Sequence, residues 1–239
     1  MSAKSDLQQL LNVPMEKRLS VRDREGWYNV ELDEEESRAA AVLLLFGALD
    51  STPSQFHESA VPDDLDVLFV ERAATLSSHP GQVAFPGGGI DPDDDGPIAA
   101  ALREAVEETG LDATGVEVLG TLPEIPLSVS NFLVTPVVAW WSAPSPVAVV
   151  DFAESAQVFR VPVADLLNPA NRRMTVVQRE GQVFKSPGFL VHNVVVWGFT
   201  AILLSHLFDD LGWAIPWDRS HEIPAPLRPV APVDDPSQA

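Results

Sequence analysis

Between Gly88 and Gly110 the chain runs from glycines through an acidic turn into Arg103-Glu104-Ala105-Val106-Glu107-Glu108-Thr109-Gly110. Glutamates at i, i+3 and i+4 fall on one face of a helix, one above another. As bare surface, three like charges so placed repel and raise one another's pKa. An acidic stripe is ordinarily a solvated face, and Glu is a good helix former. The combination with Arg103 and Gly110 argues for more. A divalent cation reverses the electrostatic logic, because Mg²⁺ and Mn²⁺ take hard oxygen ligands. The pattern predicts a helix with Pro97 in its first turn and Gly110 at its left-handed stop, and a metal site at Glu104, Glu107 and Glu108. Arg103, four residues before Glu107, is placed to bond and orient that carboxylate.

Upstream, Gly87, Gly88 and Gly89 permit positive φ and let the backbone approach a metal or phosphate with no Cβ in the way. A tight turn between strand and helix is the simpler reading of the same glycines. Asp91, Asp93, Asp94 and Asp95 precede the helix, where Asp commonly caps or complements the dipole.

The run Arg-Glu-x-x-Glu-Glu-x-Gly behind a glycine-rich loop resembles the box of the Nudix hydrolases. Leu68-Phe69-Val70-Glu71-Arg72-Ala73, then Gly81-Gln82-Val83-Ala84-Phe85-Pro86-Gly87-Gly88, is similar to the signature of coenzyme A pyrophosphatases within that family. Asp91, Asp94 and Ala101-Leu102-Arg103-Glu104 match the same subfamily, as do Val134–Val138 and Val196–Ala201. Asp95 stands where the common box has a glutamate, and Ser77 where the signature usually has an arginine.

The resemblance implies an α/β/α sandwich with a mixed sheet, the box forming loop–helix–loop. It also implies Mg²⁺- or Mn²⁺-dependent hydrolysis of a nucleoside diphosphate linkage. Coenzyme A or acyl-CoA would be split into 4′-phosphopantetheine and adenosine 3′,5′-bisphosphate. ADP-ribose or NADH is the alternative substrate, and a non-catalytic nucleotide-binding regulator the alternative role. In that reading Glu104, Glu107 and Glu108 are metal ligands and catalytic groups with Arg103, and Arg72, Gly87, Gly88 and Gly89 contact substrate. A box glutamate or Glu124 takes the proton from water. A homodimer is also implied.

Composition narrows the partners. A net charge of −20 argues against general nucleic-acid affinity, which needs a basic surface. It sits awkwardly with a polyanionic substrate, so local cations matter: Arg72, Arg103, Arg160, Arg172, Arg173, Arg179 and Lys185 are the candidates, and Arg72 leads them. No apolar run reaches the length of a membrane span, and no secretory core follows Met1-Ser2-Ala3-Lys4, so no membrane partner is expected and the cytoplasm is the default. Zero cysteines rule out disulfides and thiolate metal sites.

For domain organisation the reading is an N-terminal extension over 1–36, a catalytic domain over 37–217 and a Pro-rich flexible tail over 218–239. Ser5–Leu11 is read as helical. Ala39–Phe46, Asp66–Arg72, Gln82–Phe85, Val116–Leu122, Leu133–Trp141 and Ala156–Arg160 are read as strands. Pro162–Leu167 reads as a short helix, Met174–Val177 with Val183–Phe184 as a hairpin, and Val194–Leu211 as one helix. From Pro216 on, repeated prolines predict no fixed structure.

Overall fold

A computed structural model describes residues 2–13, 32, 37–48, 54–76, 79–127, 130–179 and 181–227; most of the expected N-terminal extension, Ser77 and the last twelve residues lie outside them. The central strand, β1 (Arg38–Ala48), is an almost unbroken apolar run because both of its faces are covered. It pairs in parallel with β7 (Phe132–Trp141) along one edge. Its other edge is shared by β4 (Gly87–Gly89) and β2 (Leu65–Arg72), both antiparallel. Outward from these, β3 (Val83–Ala84) and β8 (Ser155–Pro162) pair with β2, and β5 (Val116–Thr121) and β6 (Ile125–Leu127) pair with β7. The sheet is therefore mixed.

Strand alternation splits the core into two layers. Ala41, Leu43 and Leu45 of β1, with Val137, Ala139 and Trp141 of β7, face the helix α2 (Gly96–Thr109) through Ala100, Ala101 and Ala105. Leu44, Phe46, Val67, Phe69 and Val138 face the other way. There they meet α1 (Ala3–Leu11), the short α3 (Val163–Leu167) and α4 (Gly198–Asp210). Helices on both faces of a mixed sheet make the α/β/α sandwich. A second sheet, in the order β11 (Val194–Val196), β10 (Gln182–Val191), β9 (Arg172–Arg179) and β12 (Glu222–Pro224), is built on the β9–β10 hairpin. No helix among the described residues is long and apolar enough to cross a membrane.

Three sequence expectations need correction. The glycines Gly87–Gly89 are not a free turn but β4, hydrogen-bonded to Ala40–Val42. The expected helix Val194–Leu211 starts late: Val194–Val196 is β11, folded back on β10 through His192 and Asn193, both at positive φ, as a two-residue hairpin requires. Three consecutive valines suit a strand better than a helix. Finally, part of the Pro-rich tail is ordered: Glu222–Pro224 forms β12, parallel to β9, with Ala225 buried. An edge position tolerates the proline that has no N–H to give.

The narrowest approach in the sheet is at Gly87, at φ +155, where a Cβ would sit 2.3 Å from the Ala41 oxygen and 2.7 Å from Val42 Cα. Both are backbone atoms that cannot step aside. Gly87→Ala is expected to cost about 2–4 kcal/mol in urea unfolding. Gly89→Ala, where a Cβ meets nothing within 4 Å, should stay within about 0.5 kcal/mol of the parent. Equal costs at the two positions would contradict this reading of β4.

Candidate active site

The small residues Ala100, Ala101 and Ala105 let α2 lie close against the sheet, and β4 fills the gap beside it. Gly88 has no room for a side chain because the Glu104 carboxylate occupies it: a Cβ would lie 2.5 Å from Glu104 Oε1. One residue earlier, the Gly87 N–H donates to Glu108 Oε2 at 3.0 Å. Glycine in this segment thus serves close approach between backbone and carboxylates. Among its residues only Gly87 has a positive φ. The Gly87 amide, expected to meet substrate, is already committed to Glu108.

Arg103 organises the remaining acids. Its Nε and Nη2 donate to the two oxygens of Asp94 at 3.0 and 2.8 Å, in a bidentate fork. Nη1 reaches Glu104 Oε1 and Glu107 Oε2, each at 3.0 Å, and Nη2 also reaches the Gly89 carbonyl at 3.1 Å. The expected bond to Glu107 is present, but Asp94 is the stronger anchor. Asp94 does not cap the helix, and Asp95 at the N-cap makes no side-chain cap bond either. The Arg103 guanidinium, with help from the Asp91 backbone, holds the Asp94 carboxyl below the usual carboxylate range.

The three glutamates are not equivalent. Glu107 is turned outward with a side chain 57% exposed, against 20% for Glu104. Burial pushes Glu104 upward, against the pull of Arg103, and the nearby charges of Glu107 and Asp91 push the same way. Glu108 is pushed up to about 7, first by burial, then by Glu104 and Glu154, while the Gly87 amide and Arg72 oppose the rise. Arg72 ends β2, and its Nε is buried with no hydrogen-bond partner. Glu154, which no sequence pattern singles out, arrives on the loop before β8, where its carbonyl accepts the Ala73 N–H at 2.8 Å.

Other expected groups stand elsewhere. Arg160 sits beside the buried Asp66, Arg172 lies under Trp217, and Lys185 pairs with Glu222 on the second sheet. Glu124 is exposed between β5 and β6. His79 is bonded to Gln82 at 3.1 Å in a tight turn, which is a structural role.

Among the described residues no three Asp, Glu or His side chains converge closely enough to make a ready metal cage. The donor chemistry nonetheless fits a hard divalent cation. Glu104 and Glu108 bring carboxylates to the same glycine strand, and burial raises the pKa of each despite the nearby Arg103 and Arg72. A cation there would relieve both.

The pKa of Glu108 has a consequence for stability. Its value in the fold, about 7, exceeds the ordinary 4.5, so the folded protein keeps a proton that the unfolded chain releases between those pH values. Stability is lost as pH rises across that window, by at most about 3 kcal/mol. In metal-free buffer, Glu108→Gln should match the parent near pH 4 and exceed it in denaturant midpoint at pH 8. A variant less stable than the parent at pH 8 would contradict the assignment.

The NUDIX domain model matches residues 59–181. An uncharacterized Nudix hydrolase NudL of Photorhabdus laumondii is 40% identical over 141 residues, 59% of this chain and 74% of that protein. The NudL of Cronobacter sakazakii is 39% identical over 146 residues, 61% of this chain and 75% of its own. Among solved structures, a Nudix hydrolase from M. smegmatis, RenU, is similar at 26% identity and a TM-score of 0.40, over 52% of this chain and 70% of that one. With about half its length matched by the family model and the curated relatives covered over most of theirs, the chain belongs to the Nudix hydrolase family.

Proposed function

We propose that this chain is a divalent-metal-dependent pyrophosphatase that splits coenzyme A or acyl-CoA into 4′-phosphopantetheine and adenosine 3′,5′-bisphosphate. The observation that carries the hydrolytic reading is the approach of two carboxylates to one glycine strand, Glu108 accepting the Gly87 N–H at 3.0 Å and Glu104 filling the space a Cβ at Gly88 would take. One of the box glutamates, or Glu124, would take the proton from the attacking water. Mg²⁺ or Mn²⁺, when held by Glu104 and Glu108 with Glu107 at the rim, would neutralise diphosphate oxygens and acidify water.

The remaining groups belong to this chain. Arg103 fixes Glu104 and Glu107 through the Asp94 fork, so the carboxylates keep their place without substrate. Arg72 has a buried, unpartnered Nε and bears electrostatically on Glu108. It is the cation suited to a substrate phosphate oxygen. Coenzyme A as substrate rests on the segments Leu68–Ala73 and Gly81–Gly88 and on the paired aspartates Asp91 and Asp94. The same resemblance supports a homodimer, and a cytoplasmic location is the default reading of the sequence.

The test is product analysis by mass spectrometry with Mn²⁺ or Mg²⁺, comparing coenzyme A, acetyl-CoA, ADP-ribose and NADH. The expected result is metal-dependent release of 4′-phosphopantetheine, abolished by chelator, with ADP-ribose and NADH intact. Glu108→Gln is expected to lower turnover by about 100- to 10,000-fold while the far-ultraviolet spectrum is unchanged. Turnover of ADP-ribose alone would overturn the substrate. Tight nucleotide binding with no metal-dependent turnover of any substrate would overturn the enzyme reading.

A further inference from the structure

The cations of this acidic chain are unevenly spread. Arg172, Arg173 and Arg219 gather with His206 and His221 around Trp217, beside the C-terminal half of α4 and the second sheet. Two openings share Trp217. One is a cavity of about 160 Å³ bounded by Met174, Ser205, His206, Asp209, Trp217 and Arg219. The other is an open cleft of about 570 Å³ that Arg173, Asp218 and His221 border. None of the glutamate-helix residues lines either.

Beneath the cavity lies Arg172, only 1% exposed. Its guanidinium stands 4.5 Å from the Phe189 ring and 4.6 Å from the Trp217 ring. Its Nη2 donates to Ser205 Oγ at 2.7 Å, and its Nε is buried with no partner. Among the described residues it forms no ion pair with a carboxylate; Asp209 helps only at longer range, and burial pushes the guanidinium down to about 10. Removing a cation from water without a contacting countercharge costs several kcal/mol. An anion bound nearby would offset that.

The walls are suited to an oxyanion. Ser205 accepts from Arg172, which leaves its own O–H to donate into the cavity that it lines. Arg219 borders the same cavity, and guanidinium forks match phosphate oxygens. Asp209 lines the cavity with Arg219, and Asp218 lines the cleft with Arg173, while Arg172 is buried behind Ser205. The cavity is smaller than the roughly 300–1,000 Å³ of sites that hold whole drug-sized molecules, which limits it to an ion or one substituent. The adjoining cleft has room for the rest of a phosphate ester.

We propose that the cavity beside Trp217 is a phosphate-binding site separate from the glutamate helix, in which Arg219 and the Ser205 hydroxyl hold the anion and Arg172 supplies charge from beneath. The site does not depend on which nucleotide the glutamate helix cleaves. Its occupant is a phosphate dianion, free or as a monoester.

The experiment titrates inorganic phosphate, and separately AMP, into the full chain without divalent metal, followed by calorimetry, thermal midpoint and tryptophan fluorescence. Saturable binding with a rise in midpoint is expected. Arg219→Gln and Ser205→Ala should each weaken it about tenfold or more, while Glu108→Gln leaves it intact. Trp217→Phe should remove the fluorescence change without removing the calorimetric signal. Equal affinity for phosphate and AMP limits the site to the anion, and tighter AMP extends it into the cleft; both support the proposal. Absence of saturable binding, or binding lost in Glu108→Gln and kept in Arg219→Gln and Ser205→Ala, would overturn it.

Discussion

The site depends on a strip of glycine backbone laid between a strand and a helix. β4 touches β1 on one side through the Gly87–Val42 approach, and Glu104 and Glu108 of α2 on the other. Any side chain at Gly87 would collide with the backbone of β1, and one at Gly88 would collide with the Glu104 carboxylate. The glycines therefore set the separation between sheet and helix. That separation decides how deeply Glu108 is buried, and burial sets its proton affinity.

Around this strip the charges are arranged by one cation. Arg103 hydrogen-bonds three carboxylates and a carbonyl and pairs with a fourth carboxylate, Asp91, at 3.6 Å, holding the acidic loop to the helix. Partly exposed ion pairs contribute little stability singly. Their value here is geometric, since a bidentate fork to Asp94 fixes the plane of the guanidinium and so the positions of Glu104 and Glu107. Arg72 brings a second cation from the end of β2, closer to Glu108 than to the acidic loop in its electrostatic effect. Positive charges thus gather at the glutamate helix, through Arg103 and Arg72, and again around Trp217, through Arg172, Arg173 and Arg219.

Much of this was legible in the residues. The limits of α2 follow from Pro97 and Gly110, and the Arg103–Glu107 contact follows from helical spacing. The long strands β1, β2 and β7 fall where apolar, β-branched runs place them. Short pieces were less legible. β6, β11 and β12 are three residues each, too brief for a periodicity, and two contain proline. They exist because a neighbouring strand edge offers hydrogen bonds, and no local pattern records that edge. Glu154 and the stack of Arg172 with Trp217 were illegible for the same reason: partners far apart in the chain meet through folding.

The sequence by itself determined which groups share the helix face and where that helix starts and stops, because these follow from helical geometry and charge over a few residues. Only the tertiary structure decided that the glycines are a strand, that Glu108 is buried while Glu107 is exposed, and that Asp94 rather than Glu107 is the principal anchor of Arg103. Those outcomes turn on how closely α2 lies against β1 and β4. Burial and proton affinity are set by everything packed around a group, and the chain brings those neighbours together only when it folds.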